Sequence, residues 1–170
     1  RQNIHFRGLD RKKDDVIIKK GKKLASSELG VCATVGKSTL KVSNLPKTII
    51  ISSGDELVDI DQIPDKHQIR KSNVHRLKTA LNDLGIKADT DHIDDKLDEI
   101  KKHLSSHLEE YDLIILSGGV SKGKYDFIPQ ALDELGVDKL FHKVKQRPGK
   151  PFWFGRKNNT CVFAFPGNPV

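Results

Sequence analysis

The sequence LIILSGG at positions 113–119 decides the fold class of this chain. Four consecutive apolar residues are typical of a strand that is buried on both faces, because a half-exposed strand alternates apolar and polar residues. The same pattern occurs upstream, where TIII at 48–51 is followed by SSG at 52–54. Two such runs predict neighbouring strands in the interior of a parallel sheet.

Segments with helical periodicity alternate with these strands. Apolar residues recur at helical spacing over residues 73–84, which predicts a helix with Ser72 or Asn73 as its N-cap and Gly85 as its stop signal. Residues 86–93 form a weaker strand pattern. This part of the chain therefore predicts the succession strand, helix, strand.

The same succession continues downstream. Residues 97–108 form a second amphipathic pattern, and residues 127–135 form a third, which Asp126 is positioned to cap. Asp94 could in the same way cap the second helix.

A hairpin and a last strand complete the pattern. Residues 138–145 and 151–154 flank the turn sequence at 147–150, and residues 161–165 form another strand. Alternating strands and helices require a mostly parallel sheet with helices on both faces and right-handed crossovers. We therefore expect a three-layer αβα fold of the α/β class.

The 170 residues suffice for one domain and a smaller appendage. Residues 1–46 are rich in charge and lack a strong period, so we interpret them as a partial segment of a second domain, and residues 47–170 as the main domain. Cys32 and Cys161 lie far apart among apolar neighbours, which predicts reduced packing residues.

Composition narrows the class of partner. The net charge of +7 favours anionic ligands. Aromatic residues make up only 6% of the chain and offer few side chains on which nucleic-acid bases could stack, so we expect no nucleic acid partner. No apolar run approaches the length of a membrane span, and the first residues are not those of a secretory leader, so we expect a cytoplasmic protein without a membrane partner. The seven histidines show no metal-ligand spacing together with cysteines or carboxylates, so no zinc site is predicted.

Polar sequences follow four of the predicted strands, at the point where each strand ends. They lie at positions 52–56, 94–95, 117–121 and 166–169. Ligands bind beyond the carboxyl ends of strands in open α/β sheets, so these loops are expected to converge on one crevice. The hairpin turn at 147–150 can reach the same rim.

The loop at 117–123 combines three glycines and two serines before a helix. Its backbone N–H groups could close around a phosphate, although the glycines alone equally fit a tight turn from strand to helix. The candidate phosphate-binding residues of this loop are Ser117, Gly118, Gly119, Ser121 and Gly123.

Three carboxylates and three cations are further site candidates. Glu56, Asp94 and Asp126 stand at strand exits or helix starts, where Glu56 and Asp126 could hold Mg²⁺, but each also fits a helix cap or an ordinary solvated turn. The cations could neutralise a phosphate or another oxyanion, although any one of them could be surface charge. They are Lys143, Arg147 and Lys150.

Four ordered motifs resemble those of the molybdopterin-binding domain in the MoeA and gephyrin E-domain family. They are SGDEL at 53–57, SGGVS at 117–121, RPGKP at 147–151 and PGNPV at 166–170. The resemblance covers residues 47–170, and residues 1–46 resemble the segment of the family's elongated first domain that leads into it.

The resemblance implies a molybdopterin molybdenumtransferase, which binds adenylylated molybdopterin and molybdate, cleaves the adenylyl bond with Mg²⁺ and releases AMP. Glu56, Asp94 and Asp126 would be its acidic site residues. The basic ones would be Lys143, Arg147 and Lys150, with Arg147 where members of the family often have lysine. Pro166, Gly167 and Asn168 would complete the binding site.

The family also implies a homodimer in the full-length protein, and both ends of this chain look cut. We therefore expect this chain alone to turn over poorly. Two alternatives remain open from the sequence: an adenylyltransferase of the same fold, which consumes ATP one step earlier, and a noncatalytic molybdopterin-binding or scaffold module.

Overall fold

The computed structural model describes residues 4–120, 127–147 and 149–168. The chain divides into two compact units, one ending at Ser43 and one beginning at Asn44. The assignment of domains to residues 1–46 and 47–170 stays a prediction. Among the described residues, no helix is both long and apolar enough to cross a membrane.

The first unit contains one helix, α1 (Ser26–Thr34). The Glu28 carboxylate accepts a hydrogen bond from the Ala25 backbone N–H at 3.0 Å, which secures the start of the helix. Cys32 is the buried apolar residue in the described part of this unit, whereas Phe6 is 72% exposed. The unit therefore has little core of its own.

The second unit is built around a six-stranded sheet. The strands of this unit are β1 (Thr48–Ser53), β2 (Leu57–Val58), β3 (Ile69–Arg70), β4 (Ala88–Ile93), β5 (Leu113–Ser117), β6 (Asp138–His142), β7 (Trp153–Lys157) and β8 (Thr160–Phe165). In the sheet they have the order β4-β1-β5-β8-β7-β6. Neighbours among β4, β1, β5 and β8 pair in parallel, whereas β7 runs antiparallel to both β8 and β6. The two short strands β2 and β3 form a separate parallel pair.

Helices cover both faces of this sheet because its interior strands are apolar on both sides. On one face, Ile50 and Ile115 pack with Leu81 of α2 (Ser72–Asp83). On the other face, Ile49, Ile51 and Leu116 share a cluster with residues of α3 (Leu97–Glu110) and α4 (Ile128–Glu134). The predicted α/β class and three-layer arrangement are confirmed.

The ends of two helices differ from the prediction. Helix α2 begins at Ser72 with Lys71 as its N-cap residue, and none of the described side chains caps it. The predicted caps Ser72 and Asn73 were therefore wrong. Asp94 does not cap α3 either, because Lys96 occupies the N-cap position. Asn73 and Asp94 contact other partners instead.

The hairpin prediction is confirmed in its pairing but not in its length. Strands β6 and β7 pair antiparallel, with Phe141 opposite Phe154 and His142 opposite Trp153. The connection between them runs from 143 to 152, so it is longer than the turn predicted at 147–150. The predicted capping of α4 by Asp126 lies outside the described residues.

Candidate functional site

A cavity of about 490 Å³ lies at the carboxyl ends of the parallel strands. Its floor contains residues from the ends of β1, β5 and β8, and its wall contains β3 and the first turn of α2. The loops after these strands converge because all three strands run in the same direction. The lining residues are Ser52, Ser53, Glu56, Leu57, Ile69, Arg70, Lys71, Ser72, Asn73, Val74, Ser117, Gly167 and Asn168.

Gly118 lets the exits of β1 and β5 approach each other closely. Its φ is +107°, and an added Cβ would lie 2.5 Å from the Ser53 carbonyl oxygen. Its N–H donates to the Phe165 carbonyl at 3.0 Å, which joins the end of β8 to the same point. A residue with a side chain would therefore strain the backbone and push two strand exits apart.

Gly119 is also constrained by packing. Its φ is +64°, and an added Cβ would lie 2.6 Å from Ile128 Cδ1. Both glycines thus form a tight turn, which is one of the two alternatives that the sequence left open. Neither glycine is among the described residues that line the cavity. Ser121 and Gly123 lie outside the described residues, so the phosphate-cradle prediction is untested.

Asn73 joins the first turn of α2 to two strand exits. Its Nδ2 donates to Ser117 Oγ at 2.8 Å and to the Gly167 carbonyl oxygen at 2.9 Å. A side chain predicted as a helix cap instead holds the floor and wall of the cavity together. Because the amide donates both of its hydrogens in these contacts, a residue without two donors could not replace it.

Carboxylates gather where β1 and β4 end. Glu56 lines the cavity and folds back over Gly54, where an added Cβ would lie 2.5 Å from its Oε2. Ser53 Oγ donates to Asp95 Oδ1 at 2.6 Å, and the Asp95 backbone N–H donates to Asp55 Oδ1 at 3.0 Å. Three acids therefore stand around the two strand exits.

Asp94 points to other partners. Its carboxylate lies 3.8 Å from Lys96 Nζ and 3.8 Å from His92 Nε2. The pKa of Lys96 is raised by its hydrogen bond to Glu99 and by the charges of Glu99 and Asp94. Of the neighbouring pair at 94–95, Asp95 is thus the residue bonded to the cavity floor, while the predicted catalytic role of Asp94 stays a prediction.

The cavity is lined by cations that the sequence reasoning missed. Arg70 Nε donates to the carbonyl oxygens of Ile60 and Gln62, both at 3.1 Å, which anchors its side chain. Lys71 Nζ lies 3.2 Å from Asp59 Oδ1, and the Lys71 side chain is only 16% exposed. The β2–β3 pair brings them there, and it is too short to carry a strand signal.

The predicted cations lie on the connection between β6 and β7. Lys143, Arg147 and Lys150 are all exposed and are not among the described lining residues. The connection leans on the sheet through Phe152, whose ring stacks on that of Phe165 at 4.9 Å. The hairpin therefore stands at the same edge of the sheet as the cavity, but beyond β8.

The structure thus brings together some predicted site residues and separates others. Glu56, Ser117, Gly167 and Asn168 line the cavity, and Pro166 immediately precedes Gly167 in the same loop. Asp126, a predicted catalytic and Mg²⁺-binding residue, lies outside the described residues. Asn73 is the residue whose role at the cavity the sequence analysis missed although a signal was present, because it is a polar residue at the start of a helix.

Comparison with known proteins agrees with this architecture. Residues 49–170 match the family model described as "Probable molybdopterin binding domain". The chain is 37% identical to a Synechocystis protein named molybdopterin molybdenumtransferase, over 98% of this chain and 44% of that protein. A Staphylococcus epidermidis protein of the same name is 31% identical, over 99% of this chain and 40% of its own length.

A solved structure shares the fold. The molybdopterin biosynthesis MoeA protein from Pyrococcus horikoshii superposes with a TM-score of 0.70 at 28% identity, over 95% of this chain and 40% of that one. The chain spans less than half the length of the curated relatives it matches. The resemblance predicted from the four motifs is confirmed, and the chain belongs to the molybdopterin-binding domain family of MoeA-like proteins.

Proposed function

We propose that the protein containing this chain is a molybdopterin molybdenumtransferase. It binds adenylylated molybdopterin and molybdate, cleaves the adenylyl bond, releases AMP and leaves molybdenum on the dithiolene sulfurs. The observation that carries the proposal is the cavity between the exits of β1 and β5 and the first turn of α2. Two relatives that are 37% and 31% identical to this chain bear the name of this activity.

The amino end of α2 suits a phosphate group. Lys71, Ser72, Asn73 and Val74 line the cavity, and no side chain in the described part of the chain caps this helix. The N–H groups in the first turn of a helix lack intrahelical acceptors, and the helix dipole favours an anion at this end. Arg70 and Lys71 add positive charge at the same wall. We therefore assign the pterin phosphate to this side.

The acidic residues near the exit of β1 suit a divalent cation. Mg²⁺ is usually held by one or two carboxylates together with substrate phosphate oxygens and water. Glu56 fits this requirement because it is exposed to the cavity. When bound, Mg²⁺ would offset charge on the phosphoryl oxygens. We assign Glu56 and Asp126 as its ligands and keep Asp94 as a third acid, with Asp95 as the neighbour that contacts the floor.

The hairpin cations would act on the outer part of the substrate. Lys143, Arg147 and Lys150 are exposed at the same edge of the sheet, where they can attract molybdate or the adenylyl phosphate. We further propose that the intact protein is a homodimer, in which parts outside this chain complete the cleft.

An adenylyltransferase of the same fold is the second candidate. It would use a phosphate-binding cavity of this kind with ATP and unmodified molybdopterin. The names of the relatives favour the insertion reaction instead. A noncatalytic scaffold would bind the pterin without releasing AMP.

The deciding experiment measures AMP release by the intact protein from adenylylated molybdopterin and Mg²⁺, with and without molybdate. We expect molybdate-dependent release that is lost in Glu56→Gln and retained in Glu109→Gln, a matched change at an exposed position of α3. Formation of adenylylated molybdopterin from ATP would instead identify the adenylyltransferase. Pterin binding without either reaction would identify the scaffold.

A further inference from the structure

Helix α3 presents a polar stripe to the edge strand of the sheet. His103 and His107 lie four residues apart on one face of the helix, and Tyr111 follows directly after its last residue. They meet Asp91 and Asp89, which occupy alternate positions on β4 and therefore share the face that packs on α3. The Tyr111 hydroxyl donates to Asp89 Oδ2 at 3.0 Å.

The two histidines converge on a single carboxylate oxygen. His103 Nδ1 and His107 Nε2 each lie 2.8 Å from Asp91 Oδ2. These three atoms all lie within 4.8 Å of one another. The geometry points to a binding site for one transition-metal ion of the Zn²⁺ class, with Asp91, His103 and His107 as ligands and water in the fourth position.

Two of the three distances between ligand atoms are close to those that such an ion needs. Zn²⁺ binds imidazole nitrogen and carboxylate oxygen at about 2.0–2.2 Å, and its ligands in a tetrahedron stand roughly 3.3 Å apart. The ligand pairs at 2.8 Å would therefore open by roughly 0.5 Å when the ion replaces the shared hydrogens. Two imidazoles and one carboxylate favour Zn²⁺, Co²⁺ or Ni²⁺ over Mg²⁺, which prefers oxygen ligands.

The residues around Asp91 fix the orientation of its carboxylate. Asp91 Oδ1 accepts the His92 backbone N–H at 2.8 Å, which fixes the carboxylate plane. Because this bond is made to Oδ1, the other oxygen, Oδ2, remains directed at the two histidines.

His107 Nδ1 is buried and has no hydrogen-bond partner among the described residues. Metal-bound histidines normally donate this second N–H, and loss of such a partner weakens binding about 10–100-fold. We therefore expect a micromolar rather than a nanomolar site. The His103 side chain is 40% exposed, which gives the ion a route in from solvent.

A bound ion would clamp α3 to β4. Strand β4 leads directly to Asp95, which contacts the floor of the candidate active site, so the clamp would stabilise the element that positions this acid. Asp91, His103 and His107 are not among the described residues that line the cavity with Glu56. The signal that could have predicted this metal site is the spacing of four residues between His103 and His107, which was not recognised in the sequence.

The test is titration of the metal-free intact protein with Co²⁺, read by the visible absorption of four-coordinate Co²⁺, and with Zn²⁺, read by calorimetry. We expect one ion per chain at this site, a Zn²⁺-dependent rise in melting temperature, and a loss of affinity of at least tenfold in His103→Ala. His67→Ala changes an exposed histidine outside the cluster and should bind as the parent does.

Asp91→Asn keeps the shape of the side chain and guards against misfolding as an explanation. It should lose the Co²⁺ spectrum while retaining the parent circular dichroism. Unchanged binding in both His103→Ala and Asp91→Asn would overturn the proposal, as would an absence of four-coordinate Co²⁺ absorption in the parent protein. In that case the cluster is a hydrogen-bonded contact only.

Discussion

The cavity rim and the basic hairpin were predicted as parts of one site, yet the structure builds them differently. The rim residues Glu56, Ser117 and Gly167 meet because each lies at or just after the end of a strand in the parallel part of the sheet. The hairpin cations lie on the long connection between the antiparallel strands β6 and β7. Sheet topology fixes the first group, whereas the position of the second depends on loop conformation. Changes at the rim should therefore have larger effects than changes on the hairpin.

The largest effect is expected for Glu56→Gln, which removes a carboxylate from the cavity while keeping its shape. If Glu56 holds the cation that offsets phosphoryl charge, kcat for AMP release should fall about 100-fold or more, as for the loss of other preorganised electrostatic groups. Steady-state AMP release at saturating substrate measures this. Glu109→Gln should stay near the parent value, and equal losses in the two variants would break the comparison.

Gly118→Ala should damage the rim through its backbone. The added Cβ would meet the Ser53 carbonyl at 2.5 Å and would occupy a φ of +107°. We expect a loss of about 1–3 kcal/mol in the free energy of unfolding. Urea denaturation measures it.

Gly136→Ala separates the effect of backbone strain from that of a steric clash of the added Cβ. Its φ is +71°, but an added Cβ would meet nothing within 4 Å, so it should cost only about 1 kcal/mol. Equal losses in the two variants would show that contact between the exits of β1 and β5 contributes nothing.

The same contrast shows what the sequence could predict. The buried strands at 48–51 and 113–116 and the helices at 73–84 and 97–108 were recognisable because burial imposes a period on apolar residues. Convergence of the strand exits followed from parallel topology alone.

Side-chain partners were less predictable. Asn73 fits a helix cap equally well from sequence, and only the distance to Ser117 shows its other role. Arg70 and Lys71 reach the cavity through the β2–β3 pair, whose two-residue strands show no periodicity. Such contacts depend on tertiary packing, which local sequence does not encode.

Asn73→Ala tests whether the rim depends on a residue that sequence reasoning misassigned. The change removes hydrogen bonds to Ser117 and Gly167, each contributing about 0.5–1.5 kcal/mol. We expect KM for adenylylated molybdopterin to rise about tenfold, which corresponds to about 1.4 kcal/mol. Asn82→Ala, an exposed change on the same helix, serves as the control. A parent-like KM in Asn73→Ala would mean that the cavity floor holds its shape without this amide.

The smallest effect is expected on the hairpin. Arg147 is exposed, and exposed ion pairs contribute only about 0.2–1 kcal/mol, so Arg147→Ala should raise KM for molybdate by at most about fivefold. Arg147→Lys keeps the charge and should remain close to the parent, with both differences shrinking as salt is added. A 100-fold loss in Arg147→Ala that persists at high salt would contradict this ranking. It would mean that the hairpin closes over the bound substrate and that its cations lose their contact with solvent there.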